Sequence, residues 1–142
     1  MFAKQLTVFI ENRTGRLSEV LHVLRANDVN ILSMSLADTT EYGLLRLIVS
    51  DPAKGKEMLT AGGFSSLLSD VAIIKIPHKV GSLQGLLKVI DNEKVNIEYM
   101  YGLSIEGDNA YDVLKASDIN KLDAILAENG VETVSCDDIV GM

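Results

Sequence analysis

"ENRTGRL", residues 11–17, follows an alternating apolar run and breaks it with a polar pair and a glycine; "PHKVGSL", residues 77–83, does the same. Gly15 and Gly81 are 66 residues apart, and Leu17 and Leu83 keep that offset. So do Val29-Asn30-Ile31 and Val95-Asn96-Ile97. Further on, Asp51 matches Asp118 and Gly63 matches Gly130 at an offset of 67, as one inserted loop residue requires. Self-similarity at a fixed period means that one structural unit is built twice.

Within each copy the apolar period switches between two and about 3.6. Leu6, Val8 and Ile10 alternate with Gln5, Thr7 and Phe9, which predicts a strand with one better-buried face. After Gly15, the positions Leu17, Val20, Leu21 and Leu24 take helical spacing. Ile31 to Ala37 and Leu44 to Val49 read as strands. Asp51-Pro52 starts a second helix, with a capping carboxylate and a proline at the first helical position. That helix ends at Gly62-Gly63. "FSSLLSDVAIIKI", residues 64–76, is too long for one ordinary strand and reads as the last strand of copy one running into the first of copy two. Copy two repeats the order, with strands over Ile97 to Leu103 and Ala110 to Lys115 and a short strand over Thr133 to Cys136.

The expected fold class is α+β: two tandem ferredoxin-like βαββαβ sandwiches, residues 1–70 and 71–142, with helices on one face of each antiparallel sheet. The second strand of such a sheet lies at its edge. Pairing of these edges is expected to make a wider sheet. Ser33 and Ser35 on the first such strand align with Tyr99 and Tyr101 on the second. Each half is small enough to be marginal alone. With 47% hydrophobic residues, a sheet face is expected to be covered by a second chain, giving a homodimer.

Composition narrows the function. Thirteen basic against twenty acidic residues give a net charge of −7 with no Lys/Arg cluster, which argues against nucleic acid as a partner. No apolar run reaches the ~18 residues of a membrane helix, and "MFAKQLTVFI" has no signal-peptide layout. One cysteine, Cys136, fits a reducing cytoplasm. The two histidines, His22 and His78, have no metal-ligand spacing with it. Glu106, Asp108 and Asp112 show no metal pattern, and Asp137-Asp138 reads as a solvated tail. Neither a metal, a cofactor nor an active site is expected.

The glycine loops are the remaining candidates. Glycine lets a ligand approach the main chain. The first-turn N–H groups of the following helix attract an anion, and Asn12 offers both a carbonyl and an amide. That set suits a zwitterion. Taken alone, though, a glycine between strand and helix is ordinarily a turn residue. A second polar residue at fixed distance adds weight: Asn12 to Asn30 and His78 to Asn96 are both 18 residues. Neither loop has the pattern of a P-loop or a dinucleotide fingerprint.

"FIENRTGRLSEVLHVLRANDVNIL" resembles the start of an ACT domain, the small-molecule-sensing module of amino-acid metabolism, and is particularly similar to the serine-sensing regulatory domain of phosphoglycerate dehydrogenases. "PHKVGSLQGLLKVIDNEKVNIEYMY" looks like a second ACT domain. The resemblance covers nearly the whole chain and implies a free-standing, non-catalytic pair that binds a free amino acid where two ACT domains meet, altering domain arrangement or partner affinity. The first loop of one domain would face the start of the second strand of the other. Carried over, the site comprises Asn12, Arg13, Thr14, Gly15, Arg16, Leu17, Asn30 and Ile31 in the first copy. In the second it comprises His78, Lys79, Val80, Gly81, Ser82, Leu83, Asn96, Ile97 and Tyr99. His78 departs from the asparagine, Thr14 and Val80 from the family's proline, and Ile10 from a polar contact residue, so serine specificity is not implied. Some ACT-containing small subunits grip a biosynthetic enzyme, which makes such an enzyme the alternative partner.

Overall fold

The computed structural model describes residues 2–38 and 41–141, the side chain of Asp38 excepted. In chain order the elements are β1 (Ala3–Glu11), α1 (Arg16–Ala26), β2 (Ile31–Asp38), β3 (Tyr42–Val49) and α2 (Pro52–Ala61). There follow β4 (Ser65–Pro77), α3 (Ser82–Asn92), β5 (Ile97–Glu106), β6 (Asn109–Ala116), α4 (Ile119–Glu128), β7 (Glu132–Val134) and α5 (Cys136–Val140). Lys4–Ser69 and Asp70–Asp138 form the bodies of two compact units. β4 passes from one to the other without interruption, as the long apolar stretch predicts.

Seven strands join in the order β2-β3-β1-β4-β6-β5, with β7 also on β4. Each unit therefore has its fourth strand beside its first and its second strand outermost. Among the described residues β2 pairs with β3 and β5 with β6, and no pairing of the two second strands with each other is present, which corrects the expected edge pairing.

One core is built twice. Val20, Leu24, Val29, Leu47 and Leu59 pack in the first unit, and their repeat partners Leu86, Ile90, Val95, Leu114 and Leu126 pack in the second. The opposite strand faces are also buried at several positions: Gln5, Ile48, Ile73 and Val113 are fully covered. Thr7 is nearly so, and the Gln5 amide donates to its hydroxyl at 3.0 Å, which offsets the cost of burying both polar groups. The sequence pattern predicted one better-buried face for β1, whereas the structure also buries Gln5 and Thr7 on the other.

Helix ends explain most boundaries. Asp51 Oδ1 accepts from the Lys54 N–H at 3.1 Å, and Asp118 Oδ1 from the Lys121 N–H at 3.0 Å. Asp51→Ala is expected to cost ~0.5–2 kcal/mol of stability in urea denaturation. At the C-terminus the short strand stops at Val134 and Cys136 is helical and buried, which corrects the strand expected through Cys136. Ser135 and Asp138 form a reciprocal cap: the Ser135 N–H donates to Asp138 Oδ2 at 2.8 Å, and the Asp138 N–H donates to Ser135 Oγ at 3.2 Å. The Ser135 N–H, and after it the Ser135 hydroxyl, hold the Asp138 carboxyl below its ordinary range. Asp138 is thus the reciprocal partner of Ser135 at the start of α5, and it and Asp137 are exposed, as the sequence predicts.

Candidate functional site

Both glycine loops have the backbone that the sequence predicts. Gly15 and Gly81 sit at φ 89 and 86, in the left-handed region, immediately before α1 and α3. No side chain caps either helix, whereas aspartates cap α2 and α4. The loops are not wholly bare, however. The Asn12 N–H donates to the Glu41 carbonyl at 3.1 Å and the His78 N–H to the Asp108 carbonyl at 2.7 Å. Arg13 and Lys79 N–H groups turn back onto the carbonyls of Glu11 and Pro77. The first helical N–H groups are engaged as well: Arg16 donates to the Arg13 carbonyl at 3.4 Å and Ser82 to the Lys79 carbonyl at 3.2 Å.

Arg13 pairs with Glu11 at 2.7 Å on the open surface, lowering the Glu11 pKa through the hydrogen bond and the nearby charge. Such an exposed pair contributes little stability. Arg16 lies 4.4 Å from the Phe64 ring centre and bonds Glu19 at 2.6 Å, so it packs α1 against its own unit. Asn30 and Asn96 use their main chains to hold the third strand's end: each carbonyl accepts an N–H, from Ser50 at 2.9 Å and Ser117 at 3.1 Å. Their side chains are exposed.

Three cavities receive the expected residues. Asn12, Arg13 and Leu17 border one of about 90 Å³ with Ile10, Leu36 and Gly43. Asn30 and Ile31 border a separate one of about 390 Å³ with Leu21, Arg25 and Asp28. His78, Lys79, Ser82 and Leu83 border the third, about 490 Å³, within the second unit. Thr14, Gly15, Arg16, Val80, Gly81, Asn96, Ile97 and Tyr99 line none of these three.

The third cavity also contains residues that the sequence reading passed over as site members: Gly102, Ser104, Ile105, Ala110, Tyr111 and Asp112. Gly102 faces Asp112 across the β5–β6 ladder, and the register slips between Gly102 and Ser104. A bulge of this kind bends its strand and re-aims side chains. Asp112 is half-buried, and desolvation alone raises its pKa. A signal existed in the repeat: Gly102 and Asp112 occupy the places of Leu36 and Leu45, which face each other in the first unit. Among the described residues no group of three His, Cys, Asp or Glu could hold a metal ion. No helix there is long and apolar enough to cross a membrane.

This architecture, βαββαβ twice with a glycine loop before each first helix, is a tandem ferredoxin-like fold of the ACT type. The chain belongs to the ACT domain pair family, whose model matches residues 1–142. It is similar to the solved protein BT0572 from Bacteroides thetaiotaomicron, at 35% identity and TM-score 0.93, over 100% of this chain and 98% of that one. The fold is also similar to that of the regulatory subunits of aspartate kinase from Thermus flavus, at 15% identity and TM-score 0.62 over 89% and 90% of the two chains. The Thermus thermophilus subunit gives 14% identity and TM-score 0.64 over 87% and 88%. No curated protein matches the chain.

Proposed function

We propose that the chain is a cytoplasmic, non-catalytic regulatory module that binds a free amino acid at its glycine loops. Occupancy changes the arrangement of its domains or its affinity for a partner. The observation that carries this reading is the 490 Å³ cavity against the second loop, within the ~300–1,000 Å³ of small-molecule sites. The uncapped start of α3 beside it supplies N–H groups for a carboxylate. Membership of the ACT domain pair family supports the ligand class. A ligand acts as a signal only through different affinities for two states.

The test is thermal melting of the intact chain with each common amino acid in turn. An amino acid that binds the folded form is expected to raise the melting point with concentration. Identical melting curves at millimolar amounts of every amino acid would refute the reading.

A second reading, a subunit that grips an amino-acid biosynthetic enzyme, draws on the exposed apolar residues of the outermost strands: Met34 and Leu36 on β2, and Ile105 on β5. An outermost strand also offers unpaired peptide groups to another chain, so the same strands suit a homodimer. The Thermus proteins, regulatory subunits of aspartate kinase, are matched over most of their length. A stoichiometric enzyme recovered with the chain, and no melting response to any amino acid, would favour this reading over the first.

A further inference from the structure

The repeat supplies its own control for the 490 Å³ cavity. In the first unit Leu36 faces Leu45 across the ladder, and Leu45 is fully buried in the core. Leu36 also reaches over Gly43, where an added Cβ would lie 3.3 Å from Leu36 Cδ1. The space left there is about 90 Å³. In the second unit the facing pair is Gly102 and Asp112, and the space is about 490 Å³. Two leucine side chains have been exchanged for no side chain and a carboxylate, at the same place in the same fold.

Asp112 stands on a strand position that faces the core: its neighbours along β6, Ala110 and Leu114, both pack with that unit's apolar cluster. Asp112 is in none of the ion pairs Arg13–Glu11, Arg16–Glu19 and Lys75–Glu132 of the described residues, and burial is the one cause that shifts its carboxyl. Partial burial of a carboxylate without a partner is unfavourable unless a cation arrives. Lys79 borders the same cavity, and Leu83, Ile76 and Ile105 supply apolar wall. A carboxylate and an ammonium on one cavity with apolar surface complement a dipolar molecule that has an apolar side chain.

Resting on the amino-acid reading above, we infer that the second unit's cavity is the amino-acid site, taking apolar amino acids, with Asp112 receiving the ligand's ammonium group. Lys79 and the start of α3 face its carboxylate. The first unit's equivalent is closed by Leu36 and Leu45. Gly102 is the specificity-determining position, because any side chain there would grow toward Asp112, whose Oδ1 lies 3.7 Å from a Cβ built on it.

The test is isothermal titration of the full chain with the common free amino acids and with N-acetyl derivatives of those that bind. Asp112→Asn and the double variant Gly102→Leu/Asp112→Leu, which copies the first unit, are titrated alongside. The expected result is saturable binding of an apolar amino acid and none of its N-acetyl derivative. Asp112→Asn should weaken it roughly tenfold or more, and the double variant should abolish it. Because burial disfavours the ionised carboxylate, Asp112→Asn should melt no lower than the unaltered chain at neutral pH, which separates lost binding from lost folding. Equal binding of the free and N-acetyl forms, or unchanged affinity in both variants, would overturn the assignment while leaving amino-acid binding intact. No heat with any amino acid would overturn both.

Discussion

Leu24→Ala is expected to lower the unfolding free energy by ~2–5 kcal/mol in urea denaturation. Leu24 is fully buried on α1, in the cluster that also contains Leu6, Val8, Leu45, Leu47 and Leu59. Truncation removes apolar contacts and leaves a cavity that a close-packed interior fills only partly. A unit of about this size buries only ~60% of its chain surface, so its margin is thin. Ile90, the repeat partner on α3, is equally buried in the second unit's own cluster, and Ile90→Ala should cost a similar amount. The two side chains belong to different clusters, so the double variant should equal the sum of the singles within ~0.3–0.5 kcal/mol. A loss below ~1 kcal/mol for either single would mean that its helix does not pack as described.

Gly55→Leu should destabilise by ~1–3 kcal/mol, the range for overpacking a filled core. Glycine inside a helix is itself unfavourable by ~1 kcal/mol relative to alanine, so its presence in α2 needs a steric reason. That reason is close approach: a Cβ at Gly55 would lie 3.2 Å from Leu6 Cδ2 and 3.5 Å from Leu24 Cδ2. The equivalent position in α4 is Leu122, fully buried, so the second unit fills with a side chain the space that the first unit closes with backbone. Gly55→Ala should be nearly neutral, since the helix-propensity gain offsets a tight contact with the flexible end of Leu6. Stabilisation by leucine would contradict the packing of α2.

Much of this was legible in the sequence because backbone chemistry decided it. The glycine turns at 15 and 81, Asp-Pro at 51–52 and the uninterrupted apolar stretch over 64–76 each have a local cause, and the structure places a turn, a helix start and a continuous strand there. The burial of Gln5 and Thr7 was not legible, since polar side chains read as solvated unless their mutual hydrogen bond is known. Helix α5 escaped because its signal is a single reciprocal pair, Ser135 and Asp138, in a stretch too short to show a period. Among the candidate site residues, His78, Lys79, Ser82 and Leu83 do border a ligand-sized cavity. Its opposite wall was missed because it arises from Gly102, Asp112 and a bulge, features that show no periodicity. Only comparison of the two copies position by position exposes them.

The most direct test of the central claim is equilibrium dialysis of the intact chain against a mixture of the common amino acids, with each compartment quantified by chromatography. The account predicts that at least one free amino acid accumulates on the protein side in proportion to protein concentration. Equal concentrations of every amino acid on both sides, at millimolar protein and ligand, would contradict it.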